Sequence, residues 1–296
     1  MSNTRSNRLA GLLINGFFTV ACLFIALPFI LLIIVSVTSE NSLVQNGYQF
    51  IPSEFSLEAY QIVLSKPESL LRGYGVTILI TVVGTLISLL LTAMTAYPIS
   101  RSDFRYNRPI TFYIFFTILF NGGMIPFYIL MTQYLHLKNT LAALIIPTVL
   151  SPFNILIMKG FLDKISKEII ESAKVDGSGE FRIFFRIIMP LSTPALATLG
   201  LFISFGYWNE WFYALLFVDN DKYVPLQLLL VRILSQIEFL ANSPMAEAAS
   251  RMQYANFPTL SVRMAMAILA GGPMLVIFPF FQKYFVKGIT VGSLKG

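Results

Sequence analysis

Six long apolar runs set the rhythm of this 296-residue sequence, at 12–37, 76–99, 110–131, 141–162, 191–217 and 262–281. At about 1.5 Å per residue, each is long enough as a helix to cross about 30 Å of hydrocarbon. The pattern predicts an all-α integral membrane protein with six transmembrane helices. Several runs contain proline: Pro28, Pro126, Pro147, Pro152, Pro194, Pro273 and Pro279. Membrane helices tolerate this because neighbouring helices and hydroxyl side chains re-satisfy the freed backbone groups.

The polar stretches between the runs carry their own patterns. Over 55–64, an N-cap-like Ser56 precedes an apolar stripe at Leu57, Tyr60 and Leu64. This predicts a short amphipathic helix at the membrane surface, one that either shields the mouth of the bundle or meets a partner outside it. Asn121-Gly122-Gly123-Met124-Ile125-Pro126 interrupts the third run. Such a break belongs where backbone lines a watery cavity, or it is a packing kink. Residues 226–239 keep helical apolar spacing, and 245–253 predict a second short helix beyond Asn242-Ser243-Pro244.

Composition supports a membrane protein. The chain is 56% hydrophobic and 12% charged, whereas charged residues make up about 25% of a typical soluble domain. With the N-terminus inside, inner connections hold fourteen Lys and Arg and outer ones seven. By the positive-inside rule both termini and the 163–190 loop are cytoplasmic. The expected layout is a cytoplasmic tail over 1–10 and a transmembrane domain over 11–281. Outer loops then fall at 39–75 and 218–261, and a second cytoplasmic tail at 282–296. The net charge of +6 is accounted for by topology and calls for no nucleic acid. The first run is about twice the length of a signal-peptide core and reads as a retained helix. Lone Cys22 offers neither disulfide nor metal site, and lone His136 reads as a surface residue.

Chemistry is sparse. No phosphate loop of the G-x-x-x-x-G-K-[ST] kind occurs, and Gly-Lys never appears, so ATP is not bound by that device. No catalytic constellation or metal-ligand spacing is present, which argues against an enzyme. Trp208-Asn209-Glu210-Trp211 lies inside the fifth run. A carboxylate there costs about 2.5–3.5 kcal/mol on insertion scales, so Glu210 should face the bundle interior or water. Tyr207, Glu210, Trp211 and Ala214 would share a helical face. They serve either as a substrate path, with Asn209 and Asn121 as further candidates, or as a hydrogen-bonded anchor.

The 163–190 loop is the most informative polar segment. Ser166 can cap a helix from Lys167 to Asp176, Gly177 provides a left-handed stop, and Ser178 can cap a second helix running to Pro190. Ile165, Ile169, Ile170 and Ala173 fall on one face, with Glu171 and Lys174 elsewhere. The small Ala173 would allow close approach to another protein. The segment is either a rigid lever for such a protein or a solvated connection in which Glu171 pairs with Lys167 or Lys174.

Glu171-Ser172-Ala173, three residues, Gly177, nine residues, then Ile187-Ile188-Met189-Pro190 resembles the cytoplasmic loop of permease subunits in bacterial binding-protein-dependent ABC importers. That pattern is E-A-A, three residues, G, nine residues, I-x-L-P. Ser172 and Met189 depart from it conservatively. The resemblance implies a type I importer fold in the bacterial inner membrane, with Glu171, Ser172, Ala173, Asp176, Gly177 and Pro190 as the ATPase-coupling residues. The C-terminal Phe278–Gly288 stretch and Val291-Gly292-Ser293-Leu294-Lys295-Gly296 look like the tail of carbohydrate-importing permeases. The match is best in the lipoprotein and alginate-oligosaccharide subgroup. It implies that Gly292, Ser293, Leu294, Lys295 and Gly296 dock on the ATPase; read from the residues alone, Lys283 and Lys287 anchor the tail to lipid. The partners implied are a second permease, an ATPase dimer carrying ATP and Mg, an extracytoplasmic solute-binding protein and an oligosaccharide. An amino-acid or peptide importer shares the loop motif. A secondary transporter would call for more intramembrane carboxylates and an internal repeat.

Overall fold

The computed structural model describes residues 3–65, 67–242 and 259–293. Helix dominates, and the described residues contain no β-strand beyond an isolated Thr38–Phe55 bridge. Contacts divide the chain into two units, Met1–Pro67 with Arg232–Gly272, and Glu68–Val231 with Pro273–Gly296.

In the first unit, α1 (Asn3–Ser36) is strongly apolar from Gly11 onward. Over Gly11–Ser36 almost none of this surface is buried, the profile of a helix whose solvent is hydrocarbon. Ser39 caps α2 (Glu40–Asn46) by accepting from the Ser42 N–H. The helix expected over 57–64 forms as α3 (Glu58–Val63). Its buried residues are Ala59 and Val63, while Leu57 and Leu64 of the expected stripe are exposed. Tyr60 contributes through its hydroxyl, 2.9 Å from Ser36 Oγ.

The second unit opens with α4 (Pro67–Ser100), a long unbroken helix whose buried face is rich in small and hydroxylated residues such as Gly73, Thr77, Gly84, Ser88 and Thr92. After it come α5 (Asn107–Leu119), α6 (Met124–Ile129) with a π-helical turn to Tyr134, and α7 (Ala142–Ile145) with a 3-10 turn to Thr148. Then follow α8 (Pro152–Leu162), α9 (Lys167–Val175), α10 (Glu180–Ile183), α11 (Met189–Leu191), α12 (Thr193–Trp208) and α13 (Phe212–Phe217). A core of Ala93, Ala96, Ile155, Met158, Ile188 and Leu199, with others, joins α4, α8 and α12. Leu226–Asn242 forms α14, and the predicted 245–253 helix lies outside the described residues.

Three helices, Gly11–Ser36, Pro67–Ser100 and Leu260–Ile277, are long and apolar enough to cross a membrane, and three bent pairs raise the number to as many as six if each pair is one span. At the third expected span the bend is 109°, between α5 and the Met124–Tyr134 segment, and at the fourth it is 52°, between Ala142–Thr148 and α8. The last pair bends by 77° between Glu180–Leu191, at the end of the 163–190 loop, and α12. Proline or glycine stands at or beside each break. Asn121 Oδ1 accepts the Gly123 N–H at 2.9 Å, and Gly123 sits at φ 89°, a conformation open chiefly to glycine. In the fifth span Pro194 has no N–H for the Pro190 carbonyl; the Thr193 hydroxyl takes it instead at 2.7 Å.

One further expectation is corrected, and one stretch gains a described structure. Residues 191–217 are not one helix, because α12 stops at Trp208 and α13 starts at Phe212. The stretch from 282, expected as a tail, is helical as far as Ser293. The last helix, α15 (Leu260–Ser293), runs on to Ser293, since extending a formed helix costs far less than nucleating one.

Candidate functional site

The 163–190 loop folds locally much as its residues dictate. Ser166 Oγ accepts the Glu168 N–H at 3.3 Å and starts α9. At the other end Gly177 adopts φ 76°. There the Gly177 N–H reaches the Lys174 carbonyl at 3.0 Å and the Ser178 N–H reaches the Ala173 carbonyl at 2.9 Å. This pair of bonds is the Schellman arrangement, which closes a helix and reverses the chain. The following helix is capped at Gly179 rather than Ser178 and starts at Glu180. A π-helical turn over Phe184–Ile188 carries it to Pro190.

The faces of α9 divide sharply. Ala173 is buried, and Ile165 and Ile170 pack against the core that contains Leu162, Ile183, Phe184 and Ile188. The small Ala173 thus seats the helix on its own chain, and its side chain is not free for close approach to another protein. Ile169 is exposed. Glu171, Ser172, Asp176, Gly177 and Pro190 are also exposed, and Val175 and Phe181 present apolar surface at 88% and 75% exposure. Among the described residues Glu171 forms no ion pair. Lys174 instead pairs with Glu180 at 3.0 Å and Asp103 at 3.2 Å.

Asp103 belongs to a group that the sequence did not reveal. Arg101, just beyond α4, has a side chain only 11% exposed. It grips Asp103 through two nitrogens, Glu180 at 3.0 Å and the Tyr97 hydroxyl at 3.0 Å. The Arg101 hydrogen bonds, helped by Lys174, hold the Asp103 carboxyl well below the usual carboxylate range. The Asp103 contact drives the Arg101 guanidinium still further up. Glu180 and then Asp103 raise the Lys174 ammonium. In the sequence these residues registered as topology charges and a short connector, and a pairing across 79 positions leaves no local periodicity.

The candidate substrate-path residues stand in different local settings. Tyr207 is buried, its hydroxyl 3.1 Å from Ser88 Oγ and donating to the Ile145 carbonyl at 3.0 Å. Its ring fills the notch at Gly84, where an added Cβ would stand 2.6 Å from the ring. Glu210 accepts the Tyr213 N–H at 2.7 Å, capping α13. Tyr207, Glu210, Trp211 and Ala214 therefore share no helical face. Asn209 Nδ2 donates to the Phe205 carbonyl at 2.9 Å, and its Oδ1 accepts from Gln227 at 3.4 Å. Trp211 and Asn121 are exposed. Gly292 and Ser293 end α15, while Leu294, Lys295 and Gly296 lie outside the described residues.

Comparison with known proteins adds three findings. Residues 84–291 match the family described as binding-protein-dependent transport system inner membrane component. Protein LplC of Bacillus subtilis (strain 168) is 40% identical over 270 residues, covering 91% of this chain and 89% of its own. The polygalacturonan/rhamnogalacturonan transport system permease protein YtcP of the same organism is 37% identical over 290 residues, 98% of this chain and 99% of its own. Among solved structures, the chain resembles one from the crystal structure of a bacterial ABC transporter involved in the import of the acidic polysaccharide alginate. The TM-score is 0.77 at 29% identity, over 95% of this chain and 98% of that one.

Proposed function

The chain belongs to the inner-membrane-component family of binding-protein-dependent transport systems, and from that premise we propose that it is a permease subunit of an ATP-driven oligosaccharide importer. It pairs with a second permease to form the path, crosses the inner membrane six times, and keeps both termini in the cytoplasm. Two ATPase subunits holding ATP and Mg supply the energy, and an extracytoplasmic binding protein delivers the cargo. Support for a sugar cargo comes from the polysaccharide substrates named for YtcP and for the alginate importer.

One observation carries the coupling role. The loop is seated on its own chain by Ile165, Ile170 and Ala173, yet it turns Glu171, Val175 and Phe181 outward. An unpaired carboxylate beside exposed apolar groups is a surface that gains by contact. A charge-assisted hydrogen bond to Glu171 is stronger than a neutral one, and covering Val175 and Phe181 removes apolar area from water. ATP-driven closure of the ATPases displaces this seated element and, through it, whole helices, a rigid-body switch between two states. Leu294, Lys295 and Gly296, with Gly292 and Ser293, form a second contact on the ATPase. At the α12–α13 break, Asn209 and Trp211 line the path together with Asn121, while Tyr207 and Glu210 hold the helices around it.

The test is to isolate the complex in mild detergent, identify what co-purifies, and measure oligosaccharide uptake in proteoliposomes. Glu171→Lys should insert normally but lose bound ATPase, and uptake with it. Full ATPase retention together with normal uptake in that variant would overturn the coupling assignment.

A further inference from the structure

The four charged residues grouped around Arg101 occupy none of the loop motif's fixed positions and lie outside the proposed cargo path. Four charges alternate in a closed ring. Arg101 pairs with Asp103 and with Glu180, and Lys174 pairs with the same two carboxylates. The ring straddles the Gly177 turn, since Lys174 precedes it on α9 and Glu180 follows it on α10. Both arms of the turn are therefore tied to the connector that leaves α4.

We propose that Arg101 is a positioning residue that latches the coupling loop to the cytoplasmic end of α4, so that displacement of the loop moves α4 together with the helices on either side of the loop. The inference rests on the coupling role proposed above. Apolar contacts alone would let α9 slide over the core, because dispersion and burial are non-directional. The guanidinium fixes a geometry. Its Nε and one terminal nitrogen hold Asp103 while the other terminal nitrogen holds Glu180 and the Tyr97 hydroxyl. Such a planar fork directs several bonds at once, which a lysine ammonium cannot reproduce. The fork is itself held, because its guanidinium lies 5.7 Å over the Tyr97 ring and Asn107 Nδ2 donates to the Arg101 carbonyl at 2.8 Å. Tyr97 in turn packs its ring 5.4 Å from that of Phe184, in the helical segment after the turn. Position thus passes from α9 and α10 through Arg101 to α4 by a continuous chain of short contacts.

The decisive measurement is transport per ATP hydrolysed by the reconstituted importer, with bound ATPase quantified in each variant. Arg101→Gln should keep its ATPase subunits yet move at least about threefold less sugar per ATP; Arg101→Lys, which keeps charge without the fork, should recover only part of the loss. Glu180→Gln should lower the ratio too, and adding it to Arg101→Gln should cost little more, because both changes open one latch. Unchanged transport per ATP in Arg101→Gln with ATPase bound overturns the latch. Joint loss of ATPase binding and transport overturns it as well, by reducing Arg101 to a fold-stabilising residue. Should Arg101→Gln fail to assemble, Glu180→Gln and Lys174→Gln each remove one half-exposed arm, and normal ratios in both would be refuting. Failure of the underlying coupling role is separately visible, as ATPase retention and uptake that survive Glu171→Lys.

Discussion

Gly177 offers a perturbation whose cost can be worked out before the experiment. The residue sits at φ 76°, and a Cβ built there meets nothing within 4 Å. In the free chain, substitution therefore incurs no steric clash with neighbours and only the backbone penalty remains. For a residue with a Cβ, the left-handed conformation costs roughly 1–2 kcal/mol, less for Asn, whose short polar side chain tolerates it. Relaxing to a right-handed conformation instead would break the bonds to the Lys174 and Ala173 carbonyls and swing α10 away from α9. A penalty of that size shifts the equilibrium between hooked and open turns by a factor of about 5–30. The series is Gly177→Asn, Gly177→Ala and Gly177→Val, each assayed in proteoliposomes as sugar uptake per bound ATPase. Uptake should fall in that order, with Asn close to the parent and Val lowest, because Val adds β-branched stiffness. Equal loss in the Asn and Val variants would refute the reasoning from backbone conformation. The glycine would then serve close contact with the ATPase rather than the turn.

Cysteine placed at Val175 should react with an impermeant reagent only from the cytoplasmic side and be shielded when ATPase is bound, while cysteine at exposed Ile51 should react only from outside; labelling of both from one face would overturn the proposed topology. Gly84→Ala drives a methyl to within 2.6–2.8 Å of the Tyr207 ring, so the complex should lose about 1–3 kcal/mol and unfold at lower temperature. Gly75→Ala, with open space on the same helix, is the control and should be neutral. Glu210→Gln keeps an oxygen for the Tyr213 N–H, so uptake should survive, whereas Glu210→Leu should impair it; loss of uptake by an assembled Gln variant would give the charge a role with cargo. Burial alone would raise the pKa of Glu40, but hydrogen bonds from the Leu260 and Ser261 N–H groups and from the Ser261 and Thr259 hydroxyls bring it below the ordinary value. A depressed pKa stabilises the fold above the normal carboxylate range of about 4.3 and ceases to do so as pH falls through it. The acid-induced drop in thermal stability should therefore be smaller for Glu40→Gln than for the parent protein, the Asp103 pairs supplying the remainder.

What the sequence determines by itself here is whatever physics acts over a few residues. Apolar run length separates membrane helices from connections, and the run over 12–37 appears as the straight apolar stretch Gly11–Ser36. Ser166 and Gly177 cap their helix as their chemistry dictates, because a cap hydrogen bond and a positive φ are local events. Proline and glycine mark where spans weaken, and the 109° bend falls at Asn121-Gly122-Gly123. Tertiary structure alone decides which face of a helix meets its own chain. Ala173 reads from the motif as a surface for a partner, yet its methyl lies in the core with Ile183 and Ile188. Tyr207 and Glu210 look like neighbours on one helical face. The break at Asn209 turns one into a buried hub against Gly84 and the other into a cap for α13. Arg101 counts in the sequence only as one positive charge among fourteen on the inner side. Its meeting with Glu180 joins segments 79 positions apart, and no periodicity encodes a contact of that range.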